Sequence, residues 1–276
     1  MAFIKEPYFF TEEKGYRDGG EITAPYRSGN FSRGLNWYLN LFDNYKGAKA
    51  FGEVSPDYVI AQDSPQLIKK IVPTAQLICI LRDPVDRLYS NYWQVIRGGK
   101  KMPPIKEMII DGHPFIKRQI FVSSYQIHLQ KYFSVFPRDQ LSIFLFEDMK
   151  DLPEHFVQTL YNEVGVNPSF SPANLGLRYN GGNLPHLLWL QRFFSFSTNH
   201  LQDRISKHPD LYKDAINAGR PFVKLNSSQK KYPPLPVEVR YLLEGYFHET
   251  ISYIEDLLGR PLISWIGSAS KGKLLN

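Results

Sequence analysis

The chain has a single cysteine, Cys79, in 276 residues. No intrachain disulfide can form, which excludes a small bridge-stapled secreted fold. Cys79 lies in an apolar run and reads as a small core residue. No apolar stretch approaches the ~20 residues of a membrane span. The opening MAFIKEPYFF has no cationic region followed by a signal-peptide core. These absences lead to the expectation of a soluble, cytoplasmic protein. There is no long acidic or basic tract, no internal repeat and no low-complexity linker. Cys/His spacing of the zinc type is missing too, and the seven histidines are scattered. His128 and His248 fall in helical patterns and read as structural. A Gly-Lys-Ser/Thr loop is absent, which counts against a P-loop kinase. No basic stripe interleaved with aromatics speaks for nucleic acid.

What is present suits a globular α/β protein. Hydrophobic residues make up 43% and aromatics 14%, enough for a sizeable core. The formal charge of +6 suits an anionic ligand such as a nucleotide, an acidic glycan or a nucleic acid, but composition alone favours a mildly basic surface without function. Strands are expected at 49–54 (KAFGEV), 76–82 (QLICILR) and 140–147 (QLSIFLFE). The middle one is a near-continuous apolar run, as in a parallel strand buried on both faces. Helices are expected at 34–45, with Leu35, Tyr38, Leu39 and Phe42 on one face, and at 63–72, 84–97, 119–136 and 152–164. Asp63-Ser64-Pro65 and Asp83-Pro84 are helix starts of the cap-plus-proline kind. Strands alternating with helices predict a parallel sheet with crossovers. Glycines and prolines punctuate 171–236, which contains one apolar helix at 184–197, and a last helix at 237–258 stops at Gly259. The chain reads as one domain over 1–276, with 171–236 as a less regular cap or lid.

The segment QLICILRDPVDRLYSNYWQVIRGG joins a strand ending at Arg82 to a helix starting at Pro84. Ligands of open α/β sheets bind at the carboxyl ends of strands. Ser90 lies eight residues beyond Arg82, about two helical turns away. A guanidinium and a hydroxyl so placed can converge on one phosphate. The residues allow a second reading: an Arg82–Asp83 structural pair and an ordinary helix serine.

ILRDPVDRLYSNY resembles the 3′-phosphate-binding segment of sulfotransferases that use 3′-phosphoadenosine 5′-phosphosulfate (PAPS), of the heparan-sulfate type and its bacterial relatives. Further segments follow in the family's order. Lys5-Glu6-Pro7-Tyr8-Phe9-Phe10 is similar to Glu-x-x-Phe-Phe, and Gly34 to Leu39 to Gly-x-x-Trp-Tyr. Gly52 to Tyr58 is similar to Glu-Lys-Thr/Ser-Pro-x-Tyr. The stretches Tyr125–Met149 and Tyr246–Trp265 also fit.

The resemblance implies a P-loop-NTPase-like three-layer fold with a parallel central sheet flanked by helices. It implies transfer of a sulfuryl group from PAPS to a hydroxyl or amine, with a carbohydrate as acceptor and no metal. It casts Arg82 and Ser90 as ligands of the donor's 3′-phosphate and Glu6 as general base. Lys230, in the basic segment before the last helix, stands where the family has an arginine over the nucleotide. Two departures accompany it. The family's Lys-x-Gly-Thr-Thr-like loop, which binds the 5′-phosphosulfate, has no counterpart here. The first strand, its loop and the helix after it, about 35 residues, are therefore expected to be missing. Val54 stands where relatives often carry a lysine facing the acceptor. A catalytically inactive relative that binds a nucleotide or a partner is the alternative. Golgi-lumen residence is the alternative location, as for eukaryotic relatives. Tyr26, Trp37, Tyr92 and Trp93 are candidates to stack on sugars, and Lys100-Lys101 and Lys117-Arg118 are candidate attractors of an acidic acceptor, although core and loop roles account for them equally.

Overall fold

The computed structural model describes residues 2, 5–16, 21–43, 47–175, 183–187 and 227–266. Its regular elements, in chain order, are α1 (Leu35–Asn40), α2 (Ser64–Ile71), β1 (Leu77–Leu81), α3 (Pro84–Arg97), α4 (Ile105–Ile110), α5 (Pro114–Ser123) and α6 (Tyr125–Phe133). They continue with β2 (Leu141–Leu145), α7 (Phe146–Asp151), α8 (Pro153–Glu163), β3 (Asn183–Pro185), β4 (Ser227–Lys231) and α9 (Val237–Leu258).

β1 and β2 pair in parallel, Leu77 opposite Leu141 through Leu81 opposite Leu145. Between them the chain passes through α3 to α6, as a parallel connection requires. The core joins Leu81 of β1 to Val85, Leu88 and Tyr92 of α3 and to one face of α9. That face repeats at helical spacing: Val239, Leu243, Phe247, Ile251 and Ile254 are all buried. α9 ends at Gly259, whose left-handed backbone (φ 63°) a residue with a Cβ adopts at a cost. Cys79 packs against this core, and burial pushes its thiol up to about 12. Asn183–Pro185 and Ser227–Lys231 make a separate antiparallel pair.

Several expectations need correction. Residues 49–54 are not a strand. Apart from one bond from the Ala2 N–H to the Gly52 carbonyl, their backbone has no ladder, and Phe51 lies exposed. β1 is not buried on both faces: Ile80 is 46% exposed, and among the described residues only β2 borders the strand. The helix of 119–136 is two helices, broken at Ser124 (ψ 69°). In α1 the buried residue is Tyr38, while Leu35 and Leu39 face solvent. Residues 183–185, at the start of the apolar helix expected at 184–197, are strand, and 188–197 lie outside the described residues. No described helix is long and apolar enough to cross a membrane.

Candidate functional site

Arg82 follows β1 directly, at the carboxyl end of a parallel strand. Asp83 caps α3, its carboxylate accepting the Val85 and Asp86 amides at 2.8 and 3.1 Å. The second oxygen of Asp83 accepts from Arg240 of α9 at 2.9 Å, and Asp86 accepts from the other arm of that guanidinium at 2.5 Å. Burial, helped by the Asp86 charge, pushes Asp83 up to about 6 against the pull of Arg240. The expected alternative, an Arg82–Asp83 pair, is therefore absent: Asp83 is taken from the other side. The Arg82 guanidinium lies over the Phe146 ring, 5.0 Å from its centroid, and among the described residues has no carboxylate partner and no hydrogen-bond acceptor.

Ser90 is half-buried on α3, outside the face formed by Pro84, Val85, Leu88, Tyr89 and Tyr92. The hydroxyls of Ser124 and Thr159 donate back to helix carbonyls, whereas that of Ser90 donates to no acceptor among the described residues. Arg87 lies between Arg82 and Ser90 in sequence and turns inward. It donates to Ser123 Oγ at 2.6 Å and to the Gln119 carbonyl and side chain, and burial lowers its pKa. A second cation, without a carboxylate partner among the described residues, thus sits on the same helix as Ser90.

Lys230, in the basic segment before α9, lies in β4, exposed, with its backbone N–H donating to Ser228 Oγ at 3.1 Å. The chain just beyond it is fastened to α3. Tyr232 stacks on Trp93 with centroids 5.8 Å apart, and the Tyr89 hydroxyl donates to the carbonyls of Pro233 and Pro234. The strand carrying Lys230 therefore ends against the helix carrying Ser90.

Glu6 belongs to a second cluster. Both Glu6 and Tyr8 have positive φ (56° and 48°), a conformation non-glycine residues rarely adopt and that recurs at functional sites. The Tyr8 hydroxyl donates to Glu6 Oε2 at 3.2 Å, and Arg27 Nε lies 3.9 Å from the same oxygen. The Tyr8 amide donates to Ser55 Oγ and the Phe10 amide to the Tyr58 hydroxyl, and both Ser55 and Tyr58 donate to Glu53. Burial raises the Glu53 carboxyl, against those two bonds. The Glu53–Tyr58 motif is thus the bracket that holds the Glu6–Phe10 segment. Asp63 does not cap α2 with its side chain; it accepts from Thr11 and from the Glu12 amide, and so fixes the other end of that segment. No hydrogen bond or ion pair joins Glu6 directly to Arg82, Ser90 or Lys230.

Residues 11–16 and 25–30 form a clasp beside Glu6. The Tyr16 amide donates to the Pro25 carbonyl, Gly15 N to Ser28 Oγ at 2.9 Å, Gly29 N to the Glu13 carbonyl at 2.9 Å and Asn30 N to the Tyr8 carbonyl at 2.8 Å. A Cβ on Gly29 would overlap the Thr11 carbonyl, so glycine alone fits the crossing. Arg118 is buried on α5, not a loop charge. It lies between the Tyr16 and Tyr26 rings and donates to the carbonyls of Glu21, Ile22 and Ala24. Of the candidate sugar-stacking aromatics, Tyr26 is covered by Arg118, Trp37 by Arg33, and Tyr92 is buried with its hydroxyl on the Pro103 carbonyl. Arg27 escaped the sequence reading, and the Gly52–Tyr58 segment was singled out there without a role for Glu53 or Asp57. The Glu-x-Ser-Pro-x-Tyr pattern marked that bracket, but nothing local tied it to residue 27. Among the described residues no three His, Cys, Asp or Glu side chains are grouped as metal ligands would be.

Residues 21–179, more than half of the chain, match the Sulfotransferase domain family. The chain belongs to that family. The matched range contains Arg82 and Ser90; Glu6 and Lys230 fall outside it. Similar curated proteins include the bifunctional heparan sulfate N-deacetylase/N-sulfotransferase 4 of Mus musculus, 22% identical over 262 residues. They also include heparan sulfate glucosamine 3-O-sulfotransferase 6 of Mus musculus, 24% identical over 221 residues. The first alignment covers 87% of this chain but only 26% of the relative, and the second 79% and 57%. The chain thus spans about a quarter of the length of the bifunctional relatives it matches. A crystal structure of a sulfotransferase from Alicyclobacillus acidocaldarius aligns over 96% of this chain and 87% of that one, with a TM-score of 0.62 at 22% identity. The likeness carries the fold: a P-loop-like sulfotransferase architecture, with a parallel sheet flanked by helices.

Proposed function

We propose that this sulfotransferase-family chain moves a sulfuryl group from PAPS to a hydroxyl or amine of a carbohydrate acceptor. The observation that carries the reading is the unspent Arg82 guanidinium at the carboxyl end of β1, with its neighbour Asp83 committed to Arg240. A phosphate dianion needs a forked cation and hydroxyl donors, and Arg82 and the unpartnered Ser90 hydroxyl supply both types. These residues fit the 3′-phosphate of the donor nucleotide. Lys230 adds a cation from the strand anchored on α3.

Sulfuryl transfer, like phosphoryl transfer, asks the protein chiefly to position groups and offset charge. A bond forms between the acceptor atom and sulfur, the bridging bond from sulfur to the 5′-phosphate oxygen breaks, and its electron pair leaves with the nucleotide. The proton lost by the acceptor goes to the carboxylate of Glu6 as general base. Tyr8 and the Glu53–Tyr58 bracket hold that carboxylate in one orientation. The heparan sulfate enzymes among the relatives support a glycan as acceptor class.

Calorimetric titration with 3′-phosphoadenosine 5′-phosphate tests the donor site. Arg82→Ala should weaken binding about tenfold or more, and unaltered affinity sinks the assignment. In the same preparation Glu6→Gln should leave nucleotide affinity unchanged while depressing PAPS-dependent labelling of a panel of carbohydrates. Arg82-dependent binding without labelling of any acceptor would identify a nucleotide-binding relative that has lost catalysis.

A further inference from the structure

We infer that Arg27 is a specificity residue that selects an acceptor bearing a carboxylate or sulfate next to the reacting group. The inference rests on Glu6 as the base, and it adds a substrate class to that reading. Arg27 Nε lies 3.9 Å from Glu6 Oε2, so whatever approaches the Glu6 carboxylate also approaches this guanidinium. Its side chain is 57% exposed and stands 6.0 Å above the centre of the Tyr8 ring. Among the described residues the long contact to Glu6 is its one ion pair, and its Nη groups donate to no protein acceptor. Four of the five guanidinium N–H groups are therefore available to an incoming anion, in the planar fork that matches a carboxylate or a sulfate.

Solvent-exposed arginines are common; what separates this one is how its backbone is held. The amides of Tyr26 and Arg27 both donate to Asp57 Oδ2, at 2.8 and 3.2 Å. Burial raises the Asp57 carboxyl, and those two bonds oppose the rise. One residue earlier, the Tyr26 hydroxyl accepts from Gln119 and its ring lies under Arg118. Just after, Ser28 and Gly29 are knitted to Gly15 and Glu13. A rigid mount carrying an uncommitted fork suits recognition, because little ordering remains to be done on binding. Val54 nearby in the bracket is apolar and exposed, so it offers an acidic acceptor no charge. Lys5 Nζ lies 3.6 Å from Glu6 Oε1 on an 89% exposed side chain next in sequence, and Arg27 adds a forked cation at Oε2 from a different part of the chain.

The test is binding of three oligosaccharides of equal length. One alternates glucuronate with N-acetylglucosamine, one is the same backbone N-sulfated, and one is a neutral N-acetylglucosamine oligomer. The protein should prefer at least one acidic probe to the neutral probe, and Arg27→Ala should weaken that probe about tenfold with the neutral one unchanged. Arg27→Lys should recover part of the loss, since it keeps the charge and not the fork. Weakening confined to the N-sulfated probe identifies sulfate as the recognised group, and weakening of both acidic probes identifies the carboxylate. Equal affinity of Arg27→Ala and the parent for the acidic probes overturns the inference. So does the absence of an acidic preference in the parent, including failure to bind any probe. Nucleotide titration keeps the two readings apart: Arg82-dependent nucleotide binding with no Arg27 effect removes the inference alone, whereas loss of nucleotide binding in the parent removes the donor reading.

Discussion

His128, on α6, is 1% exposed, with Nε2 2.8 Å from the Phe121 carbonyl and its ring edge-on to Phe121. Burial pushes it down to about 4 from the usual 6.5. The folded state keeps the ring neutral, so between those two values the unfolded chain binds a proton that the folded chain refuses. The stability this contributes is complete above pH 6.5 and is lost as pH falls toward 4. Asp83 has the opposite sign, because its folded value of about 6 lies above the usual 3.8; its contribution is complete below 3.8 and is lost as pH rises through 6. A difference measurement separates the two. Urea midpoints of His128→Gln and the parent between pH 4.5 and 7.5 should move toward one another as pH falls, by at most about 3 kcal/mol. A gap independent of pH would contradict a neutral buried ring. The structural role of this histidine was legible from its place in a helical pattern. The role of Arg118 was not, because three carbonyls and two tyrosines far from α5 in sequence define its surroundings.

Helix starts were the most legible elements. Asp83-Pro84 and Ser64-Pro65 mark the beginnings of α3 and α2, since proline at the first turn and an acidic neighbour are local chemistry. The strand expected over KAFGEV failed because ladder pairing depends on a neighbour that a short apolar run does not specify. The clasp of 11–16 with 25–30 is an element of neither kind, and the glycine at its crossing gives a contrast. Gly29→Ala drives a Cβ into the Thr11 carbonyl and should destabilise by about 1–3 kcal/mol. Gly245→Ala, in α9 with open space around the new methyl, should stabilise by about 0.5–1 kcal/mol. Thermal melting reads both, and equal shifts would mean that the crossing yields where the structure says it cannot.

Across the whole molecule, Arg240 closes the distance between the last helix and the first strand–helix turn. It reaches Asp83 and Asp86, 157 and 154 residues away in sequence. The Asp83 side chain is 3% exposed, so loss of its partner leaves a carboxylate with little water to replace it. Arg240→Ala should lower stability by about 2–4 kcal/mol at pH 8. The loss should be smaller at pH 5, where Asp83, with its value near 6, is mostly protonated and has little charge to lose. Denaturant titrations at the two pH values decide it, and a larger loss at pH 5 would refute the pairing. No sequence window contains this contact, which explains why Arg82 and Asp83 remained possible partners until α9 was placed. The grip of Arg118 has a different consequence. It takes hold of main-chain oxygens at positions 21, 22 and 24, which every amino acid possesses. Side chains there can be exchanged while the turn keeps its shape, so descendants of this chain have room to vary this surface without dismantling the frame that carries it.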